Sequence, residues 1–298
     1  MSHNPIFIAI ATAGRRDVLT QTLGELSRQT RLPDEVFICP AEPADVDREA
    51  LERLSLKVTI VTSEKGSCHQ RNAIIARLAG EKEGLITFFD DDFFPRPDYL
   101  AETEALFAQH ADIVIASGLV LADGATGPGL SSDEAHAILR AGDRQFDQPE
   151  LHDLHNGYGC NMTVRLAALN RHAVRFDEAL PLYGWLEDVD FSRQLSGCGR
   201  IVGCRRMQGV HLGAKRGRTS GLRFGYSQIA NPWHLFRKKT MRADRALIQV
   251  ARNVGSNVTR VLRPEPWVDR KGRLLGNALA VLDLMRGRIS PANILKLK

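Results

Sequence analysis

The sequence predicts an α/β fold in which a mostly parallel sheet is flanked by helices, with a helical extension at the C-terminal end. Through the first 118 residues, short apolar segments alternate with amphipathic segments of helical spacing. This alternation is typical of parallel strands joined by right-handed crossovers. The 298 residues suffice for one large domain with an appendage. The apolar runs are all shorter than a membrane helix, and the first follows no basic segment, so we expect a cytoplasmic protein.

The predicted elements follow one another at short intervals. Leu19, Leu23 and Leu26 repeat at helical spacing after Asp17, which is expected to cap the first helix. The run 84–89 is continuously apolar and therefore predicts a strand that is buried on both faces. Strands are expected at 6–11, 35–39, 57–62, 84–89 and 113–116, and helices at 17–26, 44–54, 67–78 and 98–110.

The pattern changes after residue 118. Residues 122–150 are rich in Gly, Asp and Ser, and predict a long excursion with one short helix at 133–139. A glycine-led strand is expected at 157–165, and an aromatic loop then leads into a helix that carries Phe191 and Leu195. The resulting division is a main domain over 1–215, with halves 1–118 and 119–215, and an extension over 216–298 with helices at 232–261 and 273–286.

Charge divides the chain into an acidic body and a basic tail. Residues 1–199 hold 18 Lys and Arg against 31 Asp and Glu, whereas residues 200–298 hold 22 against 4. Such a tail is expected to face phosphates, nucleic acid or an anionic membrane. The five cysteines lack C-x-x-C spacing, which favours reduced thiols over disulfides or a zinc site.

Three carboxylates, Asp90, Asp91 and Asp92, directly follow the buried strand at 84–89. Ligands bind beyond the carboxyl ends of parallel strands. Adjacent negative charges repel one another unless a cation is present, and oxygen ligands suit Mg²⁺ or Mn²⁺ bound to a phosphate compound. A solvated acidic turn, ended by Pro95 and Pro97, would give the same pattern.

A second acidic cluster, Glu187, Asp188 and Asp190, begins the helix after the aromatic loop. Acids at this position favour a helix N-terminus through the macrodipole, so capping alone would explain them. Tyr183 and Trp185 in the loop fit either core aromatics or a platform for a sugar ring.

Five motifs in this order resemble family 2 of the inverting glycosyltransferases with the GT-A fold. The resemblance covers roughly residues 5–215 and is more specific than any single motif. It implies a nucleotide-diphosphate sugar as donor, a saccharide or lipid-linked acceptor, Mg²⁺ or Mn²⁺ as cofactor, and an acceptor-binding role for residues 119–215. The motifs are 9–15, Arg71-Asn72, 89–92 with 97–100, 159–162 and 187–190.

The resemblance also implies roles for individual residues. Asp188, in a pair with Glu187, matches the catalytic base. The metal ligands are expected to be Asp92, Asp90 and His211, although a histidine after a strand is often simply hydrogen-bonded. The expected donor-binding residues are Thr12, Gly14, Arg15, Glu42, Arg71, Asp90, Asp91, Lys215, Arg216 and Arg218. The expected acceptor-binding residues are Asn161, Tyr183, Gly184 and Trp185.

One departure from the family pattern concerns the nucleobase. Members commonly carry an acidic pair after the second strand, where this chain has Cys39-Pro40-Ala41-Glu42. Glu42 is therefore only a candidate to stand in for that pair, and recognition of uridine does not follow.

Elementary chemistry fits the same assignment. Negative charge develops on the leaving diphosphate, where a metal and basic side chains such as Arg71 and Lys215 stabilise it. A sugar hydroxyl needs a base as it attacks, and a single displacement with inversion needs one base and no covalent nucleophile.

Two other functions remain open. A nucleotidyltransferase also uses metal-bound carboxylates, but is expected to have a glycine-rich basic loop where this chain has Thr12-Ala13-Gly14-Arg15. A nucleic-acid-binding protein would use the basic tail, yet the tail lacks interleaved aromatic residues and the acidic clusters would have no role. We therefore expect no nucleic acid partner.

The tail has an apolar stripe of its own. Within residues 243–262, valines and a leucine recur every three or four residues among arginines. Such a helix can lie on an anionic membrane or pack on the acidic body. Peripheral attachment to the inner face of the cell membrane, for surface polysaccharide synthesis, is the expectation. The stripe comprises Leu247, Val250, Val254, Val258 and Val261.

Overall fold

The structure is a computed structural model that describes residues 4–142, 150–215 and 219–297. Its strands are β1 (Ile6–Thr12), β2 (Glu35–Pro40), β3 (Val58–Ile60), β4 (Leu85–Asp90), β5 (Phe93–Pro95), β6 (Ile113–Asp123), β7 (Leu151–Asp153), β8 (Asn161–Arg165) and β9 (Arg200–His211). Its α-helices are α1 (Arg16–Leu26), α2 (Arg48–Glu52), α3 (Ser67–Arg77), α4 (Tyr99–Gln109), α5 (Ser132–Ala141), α6 (Leu166–Arg171), α7 (Glu187–Leu195), α8 (Gly221–Lys238), α9 (Ala243–Arg260) and α10 (Arg270–Met285). Two 3₁₀ helices lie at Pro43–Asp45 and Pro291–Lys296.

These strands form one mixed sheet in the order β3-β2-β1-β4-β8-β6-β9-β5, with β7 paired to β9. Strands β1, β2, β3, β4, β6 and β9 run in one direction, and β5, β7 and β8 run opposite. The predicted mostly parallel sheet with flanking helices is therefore confirmed. Strand β8 lies antiparallel between β4 and β6.

Strand β4 is buried on both faces, as its sequence predicts. On one face Phe88 meets Phe176 and Phe191 edge-on, and on the other Phe89 stacks on Phe93. Burying each such ring contributes roughly 1.5–3 kcal/mol. The end of β4 is thus held firmly by aromatic packing, which fixes the position of the carboxylates that follow.

Several predicted boundaries are corrected. Arg15 occupies the N-cap position of α1, so Asp17 lies in the first turn and acts on the helix dipole without capping it. Only 48–52 of the predicted helix 44–54 is α-helical, because Pro43 starts a separate 3₁₀ turn. The short helix predicted at 133–139 is confirmed as α5.

The prediction of a single helix at 232–261 is wrong. The chain instead forms α8 and α9, separated at Lys239, which has the left-handed φ of +68°. Pro232 suggested a helix start, but it lies inside α8, where its ring is buried. Strands β5, β7 and β9 were also not predicted.

The C-terminal helices form a small core of their own and rest on the main domain. Tyr226, Ile229 and Ala280 lie at its centre. Lys238 reaches from α8 to Asp190 on α7, with 2.7 Å between Nζ and Oδ2. Within the described residues, each helix lacks the length or the hydropathy needed to cross a membrane.

Candidate active site

Two carboxylates and an imidazole meet at the C-terminal ends of β4 and β9. Asp90 is the last residue of β4, Asp92 follows two residues later, and His211 ends β9. Nε2 of His211 lies 3.2 Å from Oδ1 of Asp92 and 3.7 Å from Oδ2 of Asp90. One ligand atom from each side chain lies within 4.8 Å of the other two. We call these three residues the metal group.

The chemistry of the metal group fits a small divalent cation. Oδ1 of Asp92 is buried and accepts no hydrogen bond of normal geometry from the residues that the structure describes, and Nε2 of His211 lies 3.2 Å from it. A buried carboxylate oxygen is stabilised by a cation beside it, which is the His211 ring here and would be the metal ion when one is bound. Oδ2 accepts a hydrogen bond from the backbone N–H of Ala214 at 2.7 Å. Two carboxylates and an imidazole suit Mn²⁺ or Mg²⁺, which complete their coordination with phosphate oxygens and water.

Asp123, at the end of β6, contacts the other side of the His211 ring. Nδ1 of His211 lies 2.9 Å from Oδ1 of Asp123. Burial alone would lower the pKa of His211, but its contacts with Asp123, Asp92 and Asp90 outweigh burial and raise the pKa to about 10. Without a cation, His211 is therefore a buried imidazolium that partly neutralises the acids around it.

Arg15 joins the second and third acids of the triplet. Its Nη1 atom lies 2.8 Å from Oδ1 of Asp91 and 3.4 Å from Oδ2 of Asp92. Thr12 donates a hydrogen bond to Oδ2 of Asp91 at 2.7 Å. Burial raises the pKa of Asp91 to about 6, and the charge of Arg15 opposes this rise. Asp91 therefore contacts β1 and the loop after it and does not join the metal group.

A cavity of about 520 Å³ opens next to Asp90. Its size is that of a typical small-molecule site. Nine predicted site residues line it: Thr12, Arg15, Arg71, Asp90, Asp91, Tyr183, Trp185, Glu187 and Asp188. The structure thus brings together the two acidic clusters, which are about 100 residues apart in the sequence.

Arg71, on α3, connects the two acidic clusters. Its Nη2 atom donates to Oδ1 of Asp90 at 2.9 Å, and its Nη1 atom donates to Oε1 of Glu187 at 2.7 Å. Nη2 also reaches the carbonyl of Gly159 at 3.1 Å, and the guanidinium lies 5.2 Å from the centre of the Phe176 ring. Because Arg71 is buried among these partners, its charge is shared by acids of both clusters.

Glu187 and Asp188 differ in their surroundings, although both line the cavity. Burial raises the pKa of Glu187 to about 8, and the charge of Asp188 adds to the rise while Arg71 opposes it. Asp188 accepts backbone hydrogen bonds from Gly159 at 3.1 Å and Val189 at 2.7 Å. Burial still raises the pKa of Asp188 above its usual value, which makes this carboxylate a stronger base.

Asp190, the third acid of the second cluster, points away from the cavity. Its Oδ2 atom accepts hydrogen bonds from Lys238 at 2.7 Å and Gln194 at 2.8 Å, and its Oδ1 atom accepts one from Thr240 at 2.6 Å. The side chain is fully buried. Asp190 therefore joins α7 to the C-terminal helices.

The aromatic loop before α7 and the start of α8 both contribute residues to the lining of the cavity. Tyr183 is 56% exposed, and Gly184 between the two aromatic residues has a positive φ of +69°. The Trp185 ring contacts Phe224 of α8 edge-on at 5.5 Å. Arg223, one residue earlier, also lines the cavity. The basic extension thus contributes directly to the pocket.

Other predicted site residues lie outside the cavity lining. Gly14 donates its N–H to Asp45 at 2.8 Å, and the Asn161 amide donates to the carbonyl of Gly118 at 3.0 Å. The Lys215 ammonium donates to the carbonyl of Gly124 at 2.9 Å. Glu42 has an exposed carboxylate 3.8 Å from Lys65 Nζ, and Lys65 does line the cavity. Arg216 and Arg218 lie outside the described residues.

Four residues of this region were not predicted. Asp123 and Tyr158 meet beside His211, Gln70 donates to the carbonyls of Thr12 and Cys39, and Arg223 enters from α8. The sequence signals for them are weak, because each depends on a partner far away in the chain. An Asp-Gly pair at 123–124 was the nearest signal, and it indicated a turn.

Comparison with known proteins decides the family. The model of the family described as "Glycosyl transferase family 2" matches residues 7–172, more than half of the chain. The chain belongs to this family. No curated protein matches this glycosyltransferase at a significant level.

Solved structures show that the fold of this glycosyltransferase is GT-A. A mannosyltransferase from Pyrobaculum calidifontis, in complex with GDP-Man and Mn²⁺, is 14% identical with a TM-score of 0.54, over 99% of this chain and 86% of the other. GalNAc-T7 with UDP, GalNAc and Mn²⁺ is 11% identical with a TM-score of 0.56, over 99% of this chain and 56% of the other.

The third comparison is with S. aureus TarS. Residues 1–349 of TarS in complex with UDP-GlcNAc are 14% identical with a TM-score of 0.52, over 96% of this chain and 84% of the other. In another TarS structure the match covers 78% of this chain and only 40% of that chain. At these identities the likeness concerns the fold, and the predicted GT-A fold is confirmed.

Proposed function

We propose that this glycosyltransferase moves a sugar from a nucleotide-diphosphate donor to a hydroxyl group of a saccharide or lipid-linked acceptor, with inversion at the anomeric carbon. The observation that carries the proposal is one cavity that is lined both by Asp90 of the metal group and by Asp188, a carboxylate suited to act as a base. Solved structures of the same fold contain GDP-Man or UDP-GlcNAc, and two contain Mn²⁺, which supports this class of donor and cofactor.

Asp90, Asp92 and His211 would hold the divalent cation. When bound, it neutralises negative charge on the diphosphate of the donor and on the leaving group. Arg15 keeps Asp92 in place through the 3.4 Å contact and is itself anchored by Asp91. Oδ1 of Asp92, which accepts no hydrogen bond of normal geometry and faces the His211 ring, is the ligand atom that fits this role best.

Asp188 is the proposed base. Its carboxylate accepts the proton of the acceptor hydroxyl while the hydroxyl oxygen bonds to the anomeric carbon. The bond between that carbon and the phosphate oxygen breaks, and the diphosphate leaves with the electron pair. The backbone N–H groups of Gly159 and Val189 orient the carboxylate. One displacement without a covalent intermediate inverts the anomeric centre, as in inverting hydrolases.

The basic side chains of the cavity divide by their partners. Arg15 and Arg71 are paired with carboxylates. Arg223 donates through Nε to the carbonyl of Leu297 and forms no ion pair with the described residues. Lys65 is largely exposed. Arg223 and Lys65 are therefore the described cations that best suit phosphate oxygens of a ligand.

We further propose that the C-terminal helices attach to an anionic membrane, where a lipid-linked acceptor for surface polysaccharide would be found. The predicted stripe divides: Val250 and Val254 pack on the core of the extension, whereas Leu247 is 70% exposed and Val258 is 55% exposed. Leu262, just beyond α9, is 90% exposed. Each basic residue near an anionic surface adds ~1 kcal/mol.

A panel of nucleotide sugars tests the catalytic part of the proposal. We expect at least one to be bound and slowly hydrolysed in the presence of Mn²⁺ or Mg²⁺, and not after chelation. The configuration of the transferred sugar, read by NMR, should be opposite to that of the donor. Retained configuration would contradict the inverting mechanism, and a panel without any metal-dependent turnover would contradict the donor class.

Liposome flotation tests the membrane part. Full-length protein should float with anionic vesicles at low salt, and Leu247→Glu with Leu262→Glu should reduce the floating fraction severalfold. Thr126→Glu, a change on an exposed turn, is the control for added charge. Equal flotation of wild type and the double variant would contradict membrane attachment through α9.

A further inference from the structure

Asp123 and Tyr158 form a second layer behind the metal group. Oδ1 of Asp123 lies 2.9 Å from Nδ1 of His211, and Oδ2 accepts a hydrogen bond from the Tyr158 hydroxyl at 2.8 Å. The Tyr158 ring meets the His211 ring edge-on at 6.2 Å. Both oxygens of the Asp123 carboxylate are thus engaged, and one of them faces a predicted metal ligand.

The sheet places this pair in register. Asp123 and His211 are direct partners in the pairing of β6 with β9. Just beyond them the backbones approach very closely: a Cβ atom on Gly124 would lie 2.0 Å from the Leu212 carbonyl, and one on Gly213 would lie 2.1 Å from the Gly124 carbonyl carbon. Gly213 also has a positive φ of +66°. Glycine at both positions therefore allows the strand ends to converge and hold the carboxylate against the imidazole.

The contact decides which nitrogen of His211 faces the cation. A carboxylate accepts hydrogen bonds, so the hydrogen of the neutral ring lies on Nδ1 and the lone pair lies on Nε2. Nε2 is the atom that lies 3.2 Å from Asp92 and 3.7 Å from Asp90. Tyr158, in turn, is held by its backbone N–H, which donates to the Ser117 hydroxyl at 2.8 Å.

We propose that Asp123 is a positioning residue that fixes the orientation and tautomer of His211 for binding of a divalent cation, and that Tyr158 supports Asp123. The inference rests on the proposed function of the metal group. Partners behind a metal-binding histidine typically contribute 10–100-fold to metal affinity. The alternative is a purely structural role, in which the contact of Asp123 with His211 acts as a clasp that holds β6 to β9 and has no effect on metal affinity.

Titration with Mn²⁺ alone distinguishes the two roles. Free Mn²⁺ is counted by electron paramagnetic resonance in wild type, Asp123→Asn, Tyr158→Phe and His211→Ala. Asp153→Asn is the matched control, because Asp153 is an exposed carboxylate that also pairs with a residue of β9, Arg200. Thermal unfolding of each variant reports the loss of a clasp separately.

We expect Asp123→Asn to weaken Mn²⁺ binding 10–100-fold, Tyr158→Phe to weaken it less than 10-fold, and the control to bind as wild type. In ¹⁵N spectra at one fixed Mg²⁺ concentration, His211 should show the bound pattern with its hydrogen on Nδ1 in wild type, and a larger fraction of Asp123→Asn should show the pattern of unbound His211. A variant that merely lost a clasp would unfold earlier but keep the affinity and the spectrum.

Three results would overturn the inference. Wild-type affinity in Asp123→Asn, when His211→Ala has lost binding, would leave the metal group intact and remove the role of Asp123. Unchanged Mn²⁺ binding in His211→Ala would remove His211 as a ligand, and with it any role of Asp123 through it. Failure of wild type itself to bind Mn²⁺ would contradict the metal group and the proposed cofactor.

Discussion

The two acidic clusters of this glycosyltransferase look alike in sequence but differ in structure. Each supplies three carboxylates within four residues, and in each one carboxylate is paired with residues outside the proposed metal group and the proposed base. Asp91 binds Thr12 and Arg15, and Asp190 binds Lys238. The remaining acids differ in their neutralising partners: the first cluster has His211, and the second shares Arg71. The two clusters therefore differ chiefly in the partners of their acids, and the proposed cation site belongs to the first cluster.

The largest effect is expected at the first cluster. Asp92→Asn keeps the volume of the side chain but removes a charge from the metal group, so metal-dependent donor binding should fall at least 100-fold and transfer should be lost. Calorimetry with Mn²⁺ and the donor measures this. Asp153→Asn, on the surface of the same domain, is the control, and equal affinity in Asp92→Asn and the control would contradict the assignment of the metal group.

A substitution in the second cluster should lower the rate of transfer and leave the affinity for the donor unchanged. Asp188→Asn is nearly isosteric and removes the base, which typically contributes ~10²–10⁴-fold to the rate. Single-turnover transfer should fall by that factor while donor binding stays within twofold. A variant that retains most of its single-turnover rate would show that the base lies elsewhere, and Asp190 is an unsuitable replacement because it faces Lys238.

Glu187→Gln sharpens the contrast through pH. The charge of Asp188 adds to the burial that raises the pKa of Glu187 to about 8, because like charges disfavour ionisation of a neighbour. Single-turnover transfer by wild type should therefore change with pH near 8, where Glu187 ionises beside Asp188, and this change should be absent in Glu187→Gln. The plateau should fall roughly tenfold or less, since Arg71 loses a partner. A change near pH 8 that persists in Glu187→Gln would contradict its assignment to Glu187.

The smallest effect is expected for Asp190→Asn, and it concerns stability. The carboxylate is fully buried, but the Lys238 side chain is about one-third exposed. The free energy of unfolding is therefore expected to fall by about 2 kcal/mol, less than the usual cost of breaking a fully buried ion pair. Urea unfolding measures it. Glu49→Gln, which removes a surface pair with Arg53, should leave the midpoint unchanged. A loss of transfer in Asp190→Asn without a loss of stability would contradict its structural role.

The sequence predicted those parts that depend on local patterns. The continuous apolar run of β4 is a local pattern, so the buried strand followed directly from the sequence. The acids after it are local as well, and Asp90 and Asp91 line the cavity. Strand β9 was missed because glycines and arginines interrupt its pattern, and the structure supplies the reason. A Cβ atom on Gly209 would lie 2.2 Å from the Phe93 ring. Glycine is therefore required at this position of β9 by a residue more than 100 positions away in the sequence.

Contacts between residues that are distant in the sequence also explain why the sequence did not reveal the surroundings of several site residues. Arg71 was expected to meet the donor, and the structure shows it between Asp90 and Glu187. Asp123 lies within a segment that resembles a loop, and its contact with His211 depends on the parallel pairing of β6 with β9. The break at Lys239 has no glycine or proline signal beside it, so two helices were predicted as one.

One pair of titrations tests most directly whether the first cluster binds the cation and the second supplies the base. A nucleotide sugar with Mn²⁺ is titrated by calorimetry into Asp92→Asn and Asp188→Asn, next to wild type. We predict wild-type affinity in Asp188→Asn and at least 100-fold weaker binding in Asp92→Asn. Loss of binding in Asp188→Asn, or wild-type binding in Asp92→Asn, would contradict the assignment of the cation to the first cluster and the base to the second.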